Sequence, residues 1–172
     1  MDIKMTEMVC SNCGKVQEAS RGNYRYLESG LDNVIICNVE MIECDCGEKS
    51  ALIPRIIALH EAIADCLLEQ ETYLSGKEIR FLRKNLGLKG KIFANLVGVD
   101  NATLSRWEND KSKPSARADR LIRFLYASKM KPEKAEEIAS LTFKAPSPKQ
   151  PKMPLHVVAD RRKQYSCVRE CR

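Results

Sequence analysis

Histidine is scarce in this chain. His60 and His156 are the only two, and neither sits in an H-E-x-x-H pair, which counts against a helix-borne zinc hydrolase centre. There is no G-x-x-x-x-G-K-[ST] phosphate loop, which removes the best-known route to nucleoside triphosphate chemistry. No apolar run approaches the roughly 20 residues of a membrane span. The first twenty residues carry no signal-peptide core. These absences lead to the expectation of a cytoplasmic protein that is not an enzyme. No internal repeat is visible.

Cysteine, by contrast, is plentiful, with eight in the chain. In a cytoplasmic chain that number favours metal ligation over a disulfide framework. Cys10 and Cys13 form C-x-x-C followed by Gly14, and Cys44-Asp45-Cys46-Gly47 is a second close pair. Two thiolate pairs on short loops, separated by a strand-rich segment, suit one tetrahedral zinc ion. A four-cysteine set leaves no open coordination position, so this zinc is expected to be structural. The second pair is C-x-C, one residue short of the usual spacing, and Cys37, seven residues before Cys44, is a possible substitute ligand. Rival readings are a dithiol redox pair and unligated buried thiols. Cys66 reads as a small core residue, and Cys167 and Cys171 have no partner nameable from sequence.

The charge is unevenly distributed. Residues 1–74 hold 13 acidic and 6 basic side chains, a net of −7, whereas residues 75–172 hold 10 acidic and 23 basic, a net of +13. Such a split suits a protein that meets a polyanion with one half and a different partner with the other; the plainer alternative is that segregated charge only aids solubility.

The expected fold class is α+β, in four segments: a small β-rich zinc-binding module over 1–52, a linking helix within 53–73, an all-α XRE-type DNA-binding domain over 74–130, and a largely disordered basic tail with proline and lysine over 131–172. In the first, Tyr24 to Leu27 is a short alternating run, Gly30 to Asn33 supplies turn chemistry and Val34 to Ile42 is β-rich. Pro54 opens the linking helix, with Ile56, Ile57, His60, Ile63, Ala64, Leu67 and Leu68 on one face. Ser75 and Glu78 match a capping box, and Leu74 with Ile79 a hydrophobic staple. That helix spans 77–85, and Gly87 ends it. A second covers 90–97 and closes at Gly98. Asp100 caps a third over 101–109, and Pro114-Ser115 start a fourth that reaches about residue 128, its inward face made of Ala118, Leu121, Ile122 and Leu125. Beyond Lys131 a short helix over 133–141 is expected, then a disordered stretch, KAPSPKQPKMP.

The order helix, short helix, tight turn, third helix, basic loop is what a helix-turn-helix reader of DNA requires. In the third helix Val99, Leu104 and Trp107 would face inward, and Asn101, Ala102, Thr103, Ser105 and Arg106 outward. Arg106 can fork to guanine O6 and N7, Asn101 can pair with adenine, and the methyl of Ala102 or Thr103 can touch thymine. Lys111 and Lys113 follow the helix and suit phosphates, as do Lys89, Lys91 and the Gly90 amide at the start of the second helix. Each has a plainer alternative: a cap at Asn101, a solvated charge at Arg106 or the lysines.

Across residues 8–127, LSGKEIRFLRKNLGL and FANLVGVDNATLSRWEND resemble the XRE, or lambda-Cro-like, helix-turn-helix family, and RYLESGLDNVII with CDCGEKSALIPRIIALHEAI resembles the YgiT-type zinc finger that precedes it in MqsA-like antitoxins. The resemblance implies Cys10, Cys13, Cys44 and Cys46 as zinc ligands, Asn101 and Arg106 as base readers, homodimerisation on a palindromic operator, and a toxin, often a basic ribonuclease, bound through the N-terminal half. Two positions depart from the family pattern. The second cysteine pair is shortened, and Gly90 stands where a polar phosphate-contacting side chain, commonly Gln, begins the second helix. The expected function is therefore a DNA-binding repressor acting as an antitoxin. The alternatives are a stand-alone XRE-type regulator with a structural or sensing zinc module and, from another class, a zinc hydrolase or thiol oxidoreductase.

Overall fold

A computed structural model describes residues 7–133, 135–136, 153–159 and 164–171. These divide into two compact units. One is built from residues up to Leu27, Asp32–Ile63 and the residues from Pro154 on; the other from Glu28–Leu31 and Ala64–Met153.

The first unit is a β structure. Strands β1 (Glu7–Val9) and β2 (Val16–Glu18) form an antiparallel hairpin. Strand β3 (Ser20–Arg25) pairs antiparallel with the ten-residue β4 (Val34–Glu43), after a single 3-10 turn at Leu27–Ser29. β4 is mostly buried because it is flanked on both edges, which fits its near-continuous apolar sequence. Its other edge is shared. β5 (Lys49–Ala51) pairs antiparallel with residues Met41 to Glu43, and β6 (Leu155–Ala159) pairs parallel with Val34 to Cys37. β7 (Tyr165–Val168) then adds antiparallel to β6. A bulge interrupts the β3–β4 ladder opposite Asn23: Asn38 takes a left-handed conformation at φ 53°, and its backbone N–H donates to Asn23 Oδ1 at 3.1 Å.

Strands β6 and β7 differ from the expectation of a disordered tail. Leu155 and Val157 are buried, and the Leu155 N–H donates to the Asn33 carbonyl at 2.7 Å, so this short apolar run serves the open edge of β4. Of the helix expected over 133–141, residues 133, 135 and 136 are described and are helical; the rest of it and most of KAPSPKQPKMP lie outside the described residues.

Helix α1 (Ile56–Glu69) starts after Pro54. Its buried side chains are Leu59, Ala62, Ile63, Ala64, Cys66, Leu67 and Leu68. Ile56 and Ile57, expected on the apolar face, are exposed, because they stand in the first turn ahead of the buried stripe.

The second unit holds four short helices: α2 (Gly76–Asn85), α3 (Gly90–Val97), α4 (Asn101–Glu108) and α5 (Ala116–Met130). Side chains placed to satisfy orphan backbone groups mark their ends. Ser75 and Glu78 form a reciprocal capping box at α2, Asp100 accepts from the Thr103 N–H at α4, and Ser115 accepts from the Ala118 N–H at α5. Gly87 and Gly98, at φ 68° and 76°, turn the chain out of α2 and α3 through a region that side chains disfavour. Leu74, Ile79, Leu82, Phe93, Leu104, Trp107, Ile122 and Tyr126 make the core.

One face is rotated from the expectation. On α5 the buried residues are Asp119, Ile122, Arg123, Tyr126 and Ala127, whereas Leu121 is exposed and Ala118 and Leu125 are half-buried. The cause is polar. Arg123 pairs with Asp119 at 2.8 Å and donates to the carbonyls of Leu67, Leu68, Gln70 and Thr72, while Asp119 accepts from the Leu74 N–H at 2.7 Å. The orphan carbonyls at the end of α1 and in the loop after it are thus satisfied by a buried guanidinium, which takes the place of an apolar contact.

Candidate nucleic-acid interface and metal centre

Two hairpin turns build the candidate metal centre. Cys10 and Cys13 lie in the β1–β2 turn, and Cys44 and Cys46 in the β4–β5 turn. The turns share one backbone design despite their different lengths. The first cysteine's N–H donates across the hairpin (Cys10 to the Lys15 carbonyl at 2.9 Å, Cys44 to the Glu48 carbonyl at 2.8 Å), and a following glycine N–H closes back onto that cysteine's carbonyl (Gly14 at 3.0 Å, Gly47 at 2.8 Å). Both glycines sit at positive φ. The shortened spacing therefore still aims two sulfurs at one point.

The four Sγ atoms all lie within 4.8 Å of one another, with Cys10–Cys46 at 3.6 Å and Cys13–Cys44 at 3.5 Å. A tetrahedron with metal–sulfur bonds of about 2.3 Å has edges of about 3.8 Å, so the set is the right size for zinc. Asn12 Nδ2 donates to Cys46 Sγ at 3.6 Å and Gln17 Nε2 to Cys44 Sγ at 3.7 Å; neither amide was singled out from the sequence, since nothing local distinguishes an amide that faces a thiolate. The thiols do not ionise alike. Cys46 is lowered to about 6, because the Glu48 backbone amide donates to it and the neighbouring thiols and Asn12 add to that against the cost of burial. Cys44 is pushed up to about 12: the Cys46 backbone amide favours its thiolate, but burial and the adjoining thiols of Cys13, Cys46 and Cys10 outweigh it. Four adjacent thiolates need a cation to coexist, and a divalent ion supplies that charge.

Cys37 does not join this group. It is bonded to Cys171, with Cα atoms 5.4 Å apart, and both stand beside His156. The possible substitution of Cys37 for Cys44 is thereby set aside, since β4 carries Cys44 past its end into the turn and leaves Cys37 beside the bulge. Cys66 and Cys167 are disulfide-bonded as well. The free cysteines are Cys10, Cys13, Cys44 and Cys46.

In the helical unit, α4 follows α3 through the tight turn at Gly98, and α4 packs on both α2 and α3. Leu104 and Trp107 are buried and Val99 is half-buried. Asn101, Ala102, Ser105 and Arg106 are exposed, whereas Thr103 is half-buried and its hydroxyl donates to Asp100 Oδ2 at 3.0 Å. Lys111 and Lys113 are exposed in the loop after α4, and Lys89 and Lys91 at the start of α3. Lys89 is the N-cap residue of α3 and makes no side-chain cap, so the first amides of that helix have no side-chain acceptor at the cap. Gly90 is half-buried against α4: a Cβ there would stand 3.3 Å from Asn101 Oδ1 and 4.0 Å from Leu104 Cδ2. The absent side chain lets the starts of α3 and α4 approach.

Two further basic residues serve the fold. Arg83 binds Glu108 through Nε at 2.6 Å and a terminal nitrogen at 3.0 Å, and Arg80 donates to the Glu108 carboxylate at 3.3 Å and to its carbonyl at 3.1 Å. Arg83 is held still more firmly protonated by the Glu108 hydrogen bonds, against a small cost of burial. These contacts fix the end of α4 to α2.

Residues 79–118 match the helix-turn-helix family. The HTH-type transcriptional regulator YiaG, itself described as uncharacterized, is similar. In Escherichia coli K12, O6:H1 and O157:H7 it is 41% identical over 51 residues, covering 30% of this chain and 53% of YiaG. The chain thus spans about half the length of the curated relatives it matches. No solved structure matches. No helix among the described residues is long and apolar enough to cross a membrane.

Proposed function

We propose that this chain is a sequence-specific, DNA-binding transcription regulator whose α4 enters the major groove. The observation that carries the reading is the single exposed face of α4, with Asn101, Ala102, Ser105 and Arg106 outward and Leu104 and Trp107 buried behind them. Arg106 reads guanine and Asn101 adenine, Ala102 and Thr103 offer methyl groups to thymine, and Ser105 contributes a hydroxyl. Lys111, Lys113, Lys89, Lys91 and the Gly90 amide bind phosphates and set the register. The family match and the similarity to YiaG support the same reading. Two copies reading a palindromic operator are expected, and the exposed apolar side chains Leu121 and Phe124 on α5 and Ile92 and Leu96 on α3 are candidates for the surface between them. Selection of bound duplexes from a random library tests the reading. A palindromic consensus supports it, and recovery of unrelated sequences at equal frequency rejects it.

Zinc held by Cys10, Cys13, Cys44 and Cys46 is proposed as the structural cofactor of the β unit. Within this reading the acidic N-terminal half neutralises a basic toxin and the helical domain represses the shared operon. The support is the net charge of −7 over residues 1–74 and the resemblance to MqsA-like antitoxins. Tagged chain co-expressed with its neighbouring reading frames is the test. A stoichiometric small basic protein that is toxic alone supports the antitoxin role, and a bare homodimer leaves a stand-alone regulator.

A further inference from the structure

A second set of metal-type donors lies in the β unit, apart from the hairpin turns. Cys37 on β4, His156 on β6 and Cys171 beyond β7 have donor atoms within 4.8 Å of one another, and Cys37 is buried while the other two are half-buried. The sheet assembles them from positions up to 134 residues apart. The parallel β4–β6 register pairs Ile35 with His156, and Cys37, two residues after Ile35, shares its face. The antiparallel β6–β7 register pairs His156 with Val168, so the chain returns to His156 just before Cys171. His156 Nδ1 stands 3.1 Å from Cys171 Sγ and 3.9 Å from Cys37 Sγ. With the imidazole beside the two sulfurs, the group has the composition of a Cys₂His donor set.

We infer that Cys37, Cys171 and His156 form a redox-gated site for a divalent cation of the zinc class. In the disulfide form the sulfurs are oxidised and offer no thiolate. Two equivalents of a small-molecule thiol together supply two electrons and two protons, cleaving the Cys37–Cys171 bond and joining to each other as a disulfide, and each protein sulfur gains a proton. Metal binding then displaces those two protons to solvent. Two thiolates and a neutral imidazole balance a 2+ ion, so the partly buried site holds no net charge, unlike a four-thiolate centre. Nitrogen and sulfur donors select zinc-class ions over magnesium or calcium. Three protein donors leave a fourth position for water or an external ligand. At this point the C-terminal residues are tied to β4 by the S–S bond in one state and by metal in the other.

The full-length chain, prepared oxidised and thiol-reduced under anaerobic conditions, is loaded with zinc, desalted and assayed for zinc per chain. The expected result is one more equivalent in the reduced form than in the oxidised form. This difference does not depend on whether the Cys10 group also holds zinc. Reduction also frees Cys66 and Cys167, so variants assign the extra ion. His156→Ala, which keeps the disulfide, is expected to lose it, and His156→Cys to restore it. Equal zinc in the two forms, or an extra equivalent that survives His156→Ala, overturns the inference.

Discussion

At Gly76 the helical unit has no room for a side chain. A Cβ there would meet the Trp107 carbonyl oxygen and lie 2.8 Å from the Glu108 carbonyl carbon, backbone atoms that cannot swing aside, while the Gly76 N–H donates to Asp110 Oδ1 at 2.8 Å. Gly76→Ala is therefore expected to destabilise the domain by about 1–3 kcal/mol, by overpacking against the end of α4. Urea unfolding checks this, with exposed Lys84→Ala as the near-neutral control; equal midpoints would show that the two helices can separate without cost. Glu108→Ala is expected to cost about 3 kcal/mol, because it leaves Arg83 largely buried without its carboxylate. Glu108→Gln should cost less, since it keeps an acceptor. The Asp100 carboxyl is held below the usual range, chiefly by the backbone N–H of Thr103 and also by its hydroxyl. Because the folded value is depressed, the cap's contribution is present above the unfolded carboxylate value of about 3.9 and is lost as pH falls through the lower folded value. The Thr103 amide shift, followed against pH by NMR, should have its midpoint below 3.9.

At the scale of elements, the proposed zinc is shared by the two hairpin turns, with two cysteines from each. Cys13→Ser in the full chain is expected to release one zinc per chain and to remove exchange protection from the amides of Cys10 and Cys44, while α2 to α5 keep theirs. Loss of protection across the helices as well would mean that the two units do not fold separately. What the sequence made legible follows the range of the interaction. The helix ends were readable because each cap is a contact within a few residues: Ser75 with Glu78, Asp100 with Thr103, Ser115 with Ala118. The grouping of Cys10, Cys13, Cys44 and Cys46 could be expected because a metal ion leaves paired ligand spacings in the chain. The pairing of β6 with β4 could not, since Leu155 meets Val34 across more than a hundred residues and a proline-bearing stretch conceals the strand. The Cys37–His156–Cys171 group is hidden for the same reason. Leu121 was placed inward by apolar periodicity, but the demand of four carbonyls at the end of α1 and in the loop after it set the rotation of α5 through Arg123.

Across the whole molecule, the charge split runs with the proposed division of labour. The helical unit carries the exposed Arg106, Lys111, Lys113, Lys89 and Lys91, whereas Arg80 and Arg83 are engaged with Glu108. A basic surface alone would bind any duplex, so the central claim is that α4 discriminates among bases. The most direct test is the affinity of wild type and Arg106→Ala for the selected duplex and for a scrambled one, at fixed salt. A base-reading arginine predicts a loss of roughly 1–3 kcal/mol on the selected duplex, with little change on the scrambled one and relaxed preference at a single base pair. Equal weakening on both duplexes would contradict the account and leave Arg106 as a phosphate contact.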